Sequence, residues 1–215
     1  AGVVHKGQLM ATTAGTPQGG IISPTLANVA LNGLESELAK HLDAKLGKTK
    51  AKRRKVNTIR YADDFVITGD SLEFLESEIR PWTEEFLAER GLQLSLEKTR
   101  IVSIDQGFDF LGWNFRRYKA KFLIKPSNKN VKAFYAKAKE VISANKTAKQ
   151  HELISLLNPI LRGWANYHRP VVAKATFNRL DGLIFRAIWS WSKRRHRNKS
   201  ASWIRKRYFR SEGNR

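Results

Sequence analysis

Two adjacent carboxylates, Asp63 and Asp64, lie between Thr58-Ile-Arg-Tyr61 and Phe65-Val-Ile67. Ile59, Tyr61, Phe65, Val66 and Ile67 are β-branched or aromatic, so both flanks read as strands and the acidic pair falls where a hairpin would turn. Aspartate suits a turn for a purely structural reason, since its side chain bonds nearby backbone and tolerates left-handed dihedrals. The same pair could also do chemistry. Two hard oxygen ligands at the tip of a rigid hairpin can bind Mg²⁺, and two-metal sites hold ions roughly 3.5–4 Å apart for in-line phosphoryl displacement. By itself the stretch leaves both readings open.

The elements around the pair must decide how rigidly it is held. Val3–Thr13 has weak strand character and runs into Gly15-Thr-Pro-Gln-Gly-Gly20, which cannot continue regular structure. Ser23-Pro24 reads as an N-cap with proline at the first helical position, and Leu26, Val29, Ala30, Gly33, Leu34, Leu38 and Leu42 recur at helical spacing. These predict one helix from about Pro24 to Leu46. A Gly-rich loop feeding a helix start can approach phosphates or bases closely, although ordinary loops look the same. Gly47–Lys55 reads as a basic, flexible connector; Gly47-Lys-Thr49 is not a P-loop, because a helix precedes it and the upstream glycine is missing. Asp70 with Glu73 resembles a capping box for a helix from about Ser71 to Arg90, ended by Gly91. Leu92–Leu96 and Ile101–Ile104 read as short strands, and Phe108–Phe115 with Lys121–Ile124 as a second hairpin. Strands and helices without a strict βαβ rhythm favour an α+β fold with a largely antiparallel sheet.

Texture changes at Pro126, and a domain boundary is expected near Ile124–Ser127. Helices are expected over about Asn128–Ser143, Lys149–Leu157, Pro159–His168, Lys174–Arg195 and Ser202–Arg207. Charge changes too. Residues 1–111 carry 14 Lys/Arg against 15 Asp/Glu, whereas residues 112–215 carry 26 against 4, within a total formal charge of +21. A basic half interleaved with Trp113, Tyr118, Trp164, Tyr167, Trp189, Trp191 and Trp203 suits a polyanion bound through its phosphates. The alternatives are a solvated basic surface, an anionic membrane surface or a ribosome-like assembly. With no Cys, the chain has no disulfide scaffold, thiol catalysis or thiolate zinc site. No apolar run approaches the about 18 residues that span a bilayer, and Ala1–Met10 does not read as a signal peptide. The expected setting is a reducing one: a bacterial-type cytosol or nucleoid, or an organelle.

Taken in order, these segments resemble one family. Tyr61-Ala-Asp-Asp64 resembles the catalytic signature of reverse transcriptases, and Thr16-Pro-Gln-Gly-Gly-Ile-Ile-Ser-Pro24 resembles their template-positioning motif. Leu94-Ser-Leu-Glu-Lys98-Thr and Phe110-Leu-Gly-Trp113 follow in the family's order. Leu157-Asn-Pro-Ile-Leu-Arg-Gly-Trp-Ala-Asn-Tyr-His168 through Trp203–Phe209 resembles the thumb of group II intron reverse transcriptases, the maturase-specific region. The resemblance implies a right-hand polymerase, with a partial palm over 1–124 and a helical thumb over 125–215. It implies that Asp63 and Asp64 bind catalytic Mg²⁺, two ions in the complete site. Lys98 would sit near the incoming dNTP and could protonate the leaving pyrophosphate, though a turn lysine between strands reads the same way. Pro17, Gln18, Gly19, Tyr61 and Ala62 would contact template and nucleotide. Leu111, Gly112 and Trp113 correspond to the primer grip, unless the aromatic hairpin is simply core. Arg116, Arg117, Lys119, Lys125, Lys129, Arg162 and Arg169 would contact nucleic acid, while Trp164 reads as core. The implied partners are intron RNA, an RNA template with a DNA primer, and dNTP, with no membrane.

The chain departs from the family's pattern in its earliest motif. Family members carry a further metal-binding aspartate in an earlier palm strand, together with fingers, and His5-Lys-Gly-Gln8 offers no carboxylate. An N-terminal polypeptide supplying both is one expectation; a fragment or a decayed copy are the others. The rival function is a maturase-like module that binds intron RNA and aids splicing without polymerising.

Overall fold

The computed structural model describes residues 22–209 in full, together with the backbone of two short strands. These are β1 (Gly2–His5) and β2 (Gln8–Ala11), an antiparallel pair in the register Gly2↔Ala11 to His5↔Gln8. The chain forms two compact units, 1–101 and 102–215. The architecture is α+β, with small antiparallel sheets and many helices.

In the first unit the helix expected from Pro24 to Leu46 is two helices, α1 (Ser23–Ala30) and α2 (Leu34–Leu46). Between them Gly33 adopts φ +89°, a left-handed conformation that ends one helix and starts the next. The N-cap position falls on Ile22, one residue before Ser23, so proline occupies the second helical position. The basic segment after Gly47 is not a flexible connector. It forms α3 (Lys48–Arg53), in which Ala51 is buried while the lysines and arginines point outward. Lysine and arginine are good helix formers, and cations near a helix C-terminus are favoured by its dipole.

The hairpin follows as expected, with β3 (Asn57–Tyr61) paired to β4 (Asp64–Thr68). The next helix is capped by the Ser71 hydroxyl, which accepts from Phe74 N–H. Asp70 instead pairs with Arg54 at 3.1 Å, so the expected Asp70–Glu73 box does not form. The helix runs through α4 (Leu72–Phe74), a π-helical turn (Leu75–Ile79) and α5 (Arg80–Ala88), and Gly91 terminates it at φ +69°. The wide π turn precedes Pro81, which has no N–H to donate and whose ring needs room near the Ser77 carbonyl.

Two clusters build this unit's core. Leu38, Leu42, Ala51, Phe74 and Ile79 form one, with Ile67 packed on it. Leu31, Leu34, Phe86 and Leu87 form the other, with Phe65 and Leu94 packed on it. The expected strands at 92–96 and 101–104 do not form. Leu94 packs inward, but Leu92 and Leu96 are exposed; Lys98 and Thr99 N–H donate locally to the Ser95 carbonyl, and the Ile104 carbonyl accepts from Arg117 N–H at 2.9 Å without a ladder forming. A strand needs a partner edge, and apolar character does not supply one.

The second unit opens with a three-stranded antiparallel meander of β5 (Phe108–Phe110), β6 (Trp113–Tyr118) and β7 (Lys121–Pro126). The single strand expected over 108–115 is broken by a turn at Leu111–Gly112. Then come α6 (Asn128–Ala144), α7 (Gln150–His168), α8 (Lys174–Arg195) and α9 (Ala201–Tyr208). The two helices expected to meet at Pro159 are one. An interior proline costs about 3 kcal/mol, but Leu153, Leu157, Leu161 and Trp164 keep one apolar stripe in register across it, packed on α6 and α8 side chains. Continuous burial outweighs the break.

Gly33→Ala should destabilise the first unit by about 1–2 kcal/mol in urea unfolding, because a side chain at positive φ is strained. A Cβ there would also meet Glu37 Oε1 at 2.6 Å and disturb the Glu37–Arg90 pair. Gly163→Ala in α7, where a Cβ meets nothing within 4 Å, should instead stabilise the second unit by about 0.5–1 kcal/mol.

Candidate nucleic-acid and metal-binding sites

In the hairpin Tyr61 pairs directly with Asp64, leaving Ala62 and Asp63 as a two-residue turn. Ala62 has φ +54°, an uncommon value for a residue with a side chain. The turn is braced by Arg60, whose Nη1 donates to the Ala62 carbonyl at 3.1 Å and to Asn28 Oδ1 on α1 at 2.9 Å. Strand alternation divides the hairpin. Phe65 and Ile67 pack toward the helices of the unit, whereas Ile59 and Tyr61 share the other face with Asp64 and are 56 % and 65 % exposed. Asp63 and Asp64 are both open to solvent.

Such a tip can offer carboxylate oxygens to a hard cation together with an aromatic ring on the same face. Two carboxylates from one turn make only part of a two-metal cage. Among the described residues, no group of three or more His, Cys, Asp or Glu is clustered to hold a metal ion. The donor chemistry of Asp63 and Asp64 fits Mg²⁺, and completing the site requires a further oxygen ligand. Lys98 lies in an exposed turn in the same unit; among the described residues, no hydrogen bond or ion pair joins it to either aspartate. Pro17, Gln18 and Gly19 lie outside the described residues.

A second tight turn forms in the other unit. Phe110 pairs with Trp113, so Leu111 and Gly112 make the whole connection, at φ +50° and +79°. Positive φ at both central positions follows the twist of the strands but strains leucine. The helices hold it from several directions. Tyr167 O–H donates to the Leu111 carbonyl, and Ser127 N–H donates to the Gly112 carbonyl at 2.9 Å. The Tyr167 ring stacks on Trp113, with centroids 5.1 Å apart. Trp113 Nε1–H donates to His168 Nδ1 at 3.0 Å. His168 is fully buried, and its Nε2 lies 3.0 Å from Asn130 Oδ1, which also accepts from Trp164 Nε1–H at 2.7 Å. Trp164 stacks on Phe134, so its expected place in the core is what the structure shows.

The basic residues differ in how free they are. Arg117 makes a two-pronged pair with Asp105, 2.7 Å on each prong, and that hydrogen bond holds the Asp105 carboxyl below its ordinary value. Arg116 Nε donates to the Asp105 carbonyl at 2.9 Å. Lys125 Nζ lies 4.0 Å from the centre of the Tyr118 ring, and Lys119 sits in the β6–β7 turn at φ +54°. Lys129, Arg162 and Arg169 are exposed.

Sequence reasoning missed Arg60, Asn130 and His168. Arg60 stands inside the strand motif with nothing to say that it braces the turn. Asn130 and His168 are 38 residues apart, and only the packing of α6 against α7 brings them together.

Comparison with known proteins places these features in a family. Residues 3–115 match the model for reverse transcriptase (RNA-dependent DNA polymerase), and residues 131–209 match that for the group II intron maturase-specific domain. Protein YkfC of Escherichia coli (strain K12) is 32 % identical over 146 residues, covering 57 % of this chain and 38 % of that protein. Maturase-like protein 1 of Euglena gracilis is 28 % identical over 153 residues, covering 68 % and 28 %. Group II intron-encoded protein LtrA of Lactococcus lactis subsp. cremoris is 26 % identical over 170 residues, covering 54 % and 28 %. The chain thus spans between about a quarter and two fifths of the length of these relatives.

Asn130→Ala would leave two donors, Trp164 Nε1–H and His168 Nε2–H, without their shared acceptor. At about 1–3 kcal/mol for each orphaned buried donor, the second unit should lose at least about 2 kcal/mol in urea unfolding. A loss within error of zero would show that the shared acceptor contributes little to stability.

Proposed function

The chain belongs to the reverse transcriptase family, and on that premise we propose that it works as palm and thumb of a group II intron reverse transcriptase. The reaction would be RNA-directed DNA synthesis by nucleotidyl transfer onto a primer 3′-hydroxyl, coupled to intron RNA binding. The observation that carries this reading is the exposure of Asp63 and Asp64 at a braced hairpin tip, inside the region that matches the reverse transcriptase model.

Asp63 and Asp64 would hold Mg²⁺. When bound, the metal would activate the primer hydroxyl and stabilise charge on the transferring phosphoryl group. The remaining work falls to the chain's own residues, and it is mainly positioning and charge stabilisation. Tyr61 and Ala62 would lie against the incoming nucleotide, with Pro17, Gln18 and Gly19 against the template. Lys98 would neutralise or protonate the departing pyrophosphate. Leu111, Gly112 and Trp113 would grip the primer. Arg116, Lys119, Lys125, Lys129, Arg162 and Arg169 would follow the phosphate backbone, in keeping with a half-chain that holds 26 basic and 4 acidic residues. Arg117, already paired with Asp105, would contribute less. Palm and thumb functions would divide at about 1–124 and 125–215. No described helix is long and apolar enough to cross a membrane. A bacterial cytosol or nucleoid, or an organelle, would give the protein access to its nucleic acids.

Because two carboxylates do not complete a two-metal site, polymerisation would need a further aspartate, which an N-terminal polypeptide carrying the fingers could supply. The same observation favours a second reading, in which the chain binds intron RNA and aids splicing without polymerising. The match of residues 131–209 to the maturase-specific domain supports the RNA-binding half of either reading.

Primer extension on an RNA template separates them. Purified 1–215 should bind template–primer but incorporate no dNTP. Once complemented by a polypeptide carrying the further aspartate and the fingers it should extend the primer, and Asp63→Asn should abolish extension while leaving RNA binding intact. If Asp63→Asn is silent and Arg162→Ala impairs intron splicing, the maturase reading replaces the polymerase one. Templated incorporation by 1–215 alone, lost on Asp63→Asn, would show the site to be complete without a partner. Binding should weaken steeply with salt, and removing one phosphate-contacting cation, as in Arg162→Ala, should reduce the log–log slope by about 1. Affinity flat with salt would overturn the phosphate-binding argument.

A further inference from the structure

The last turn of α7 holds the Leu111–Trp113 turn at both ends. Tyr167 O–H donates to the Leu111 carbonyl, and the next residue, His168, accepts from the Trp113 indole at 3.0 Å. Between them Gly112 sits against Asn130, whose Nδ2 would lie 2.9 Å from a Cβ at that position. Because Trp113 Nε1 can only donate, His168 Nδ1 must be unprotonated. The ring hydrogen is then on Nε2, which donates to Asn130 Oδ1 at 3.0 Å. Trp164 donates to that same oxygen at 2.7 Å, which removes any gain from turning the asparagine amide over. Each member of the network therefore fixes the proton position of the next.

We propose that neutral His168 is a positioning residue: through Trp113 and Asn130 it holds the Leu111–Trp113 turn on the thumb helices in the form that grips nucleic acid, and protonation of His168 releases that turn. The proposal rests on the reading of 111–113 as a nucleic-acid contact.

A second proton on His168 would go to Nδ1, placing two donors face to face across 3.0 Å, so the indole bond must break. The groups in contact with the ring are Trp113 from β6, Asn130 from α6, and Trp164 and Tyr167 from α7; none carries a charge at neutral pH that would welcome an imidazolium. The nearest charged residues in sequence, Arg169 beside it and Lys129 beside Asn130, are exposed. Burial correspondingly depresses the His168 pKa below its ordinary 6.5. The sign follows: the unfolded chain takes up this proton near 6.5 and the folded unit resists it. The contribution of His168 to stability is therefore complete above 6.5 and lost as pH falls toward the folded value.

The test uses the whole chain, an RNA–DNA template–primer duplex as probe, and pH from 7.5 down to about 4.5. NMR follows the Trp113 indole N–H and the His168 ring, while fluorescence anisotropy follows affinity. The Trp113 resonance should move with the midpoint of His168, and duplex affinity should fall about tenfold over the same interval. Simple charge works the other way, since added positive charge on the chain in acid should tighten polyanion binding. His168→Ala should bind weakly at every pH. His168→Gln, whose amide can accept from Trp113 and donate to Asn130, should recover binding relative to His168→Ala and lack the acid-dependent loss. A Trp113 indole that stays put while His168 titrates, or an acid-dependent loss that persists in His168→Gln, overturns the proposal. If the indole follows His168 but affinity follows neither that midpoint nor Leu111→Glu, the grip reading has failed, and with it the positioning role.

Discussion

A side chain at positive φ is strained, and both turns that carry the candidate chemistry accept that strain. Ala62 at φ +54° sets the Asp63–Asp64 tip, and Leu111 at φ +50° sets the turn next to Trp113. The backbone would relax if nothing held it. In each case a long side chain caps the strained residue's carbonyl: Arg60 for Ala62, anchored to Asn28 on α1, and Tyr167 for Leu111, projecting from α7. The rest of each unit can be understood as the scaffold that keeps these two donors in place. In the first unit that scaffold is the pair of leucine-rich clusters beneath β4; in the second it is the packing of α6, α7 and α8.

The two units solve the problem with different materials. The hairpin of the first stays polar and open at its tip, as ligand exchange requires, and its support is a partly exposed arginine. The turn of the second is held by stacked aromatic rings and a hydrogen-bond chain from Trp113 through the buried His168, then Asn130, to Trp164. Buried polar networks of this kind specify one arrangement because any broken link leaves an unsatisfied group. On the proposed reading, precision would suit a surface that holds a duplex in register, and openness one that exchanges a nucleotide.

Charge is arranged to match. The near-neutral residues 1–111 can concentrate carboxylates without strong competition from neighbouring cations, while the basic residues 112–215 offer a surface for phosphates. Not all of those cations are free. Asp105 takes both prongs of Arg117, a reminder that counting basic residues overstates the contacts available.

Local chemistry determined a good deal here without help from the fold. Alternating β-branched residues around Asp63–Asp64 specify a hairpin because register and turn are set within a dozen residues, and the ordered motifs identify the family. The helices α6, α8 and α9 could likewise be read from periodicity. What sequence could not decide was anything that depended on a distant partner. The apolar stretches 92–96 and 101–104 look like strands but form no ladder, Ile104 sharing a lone backbone bond with Arg117; Pro159 looks like a helix end but lies in a stripe buried on both sides of it. Gly33 looks like one more small residue in a helical stripe, yet it turns the chain. Tertiary structure alone placed Asn130 against His168 and Tyr167 against Leu111, because the packing of α6 on α7, and of α7 on the β5–β6 turn, brings together residues that are 38 and 56 positions apart.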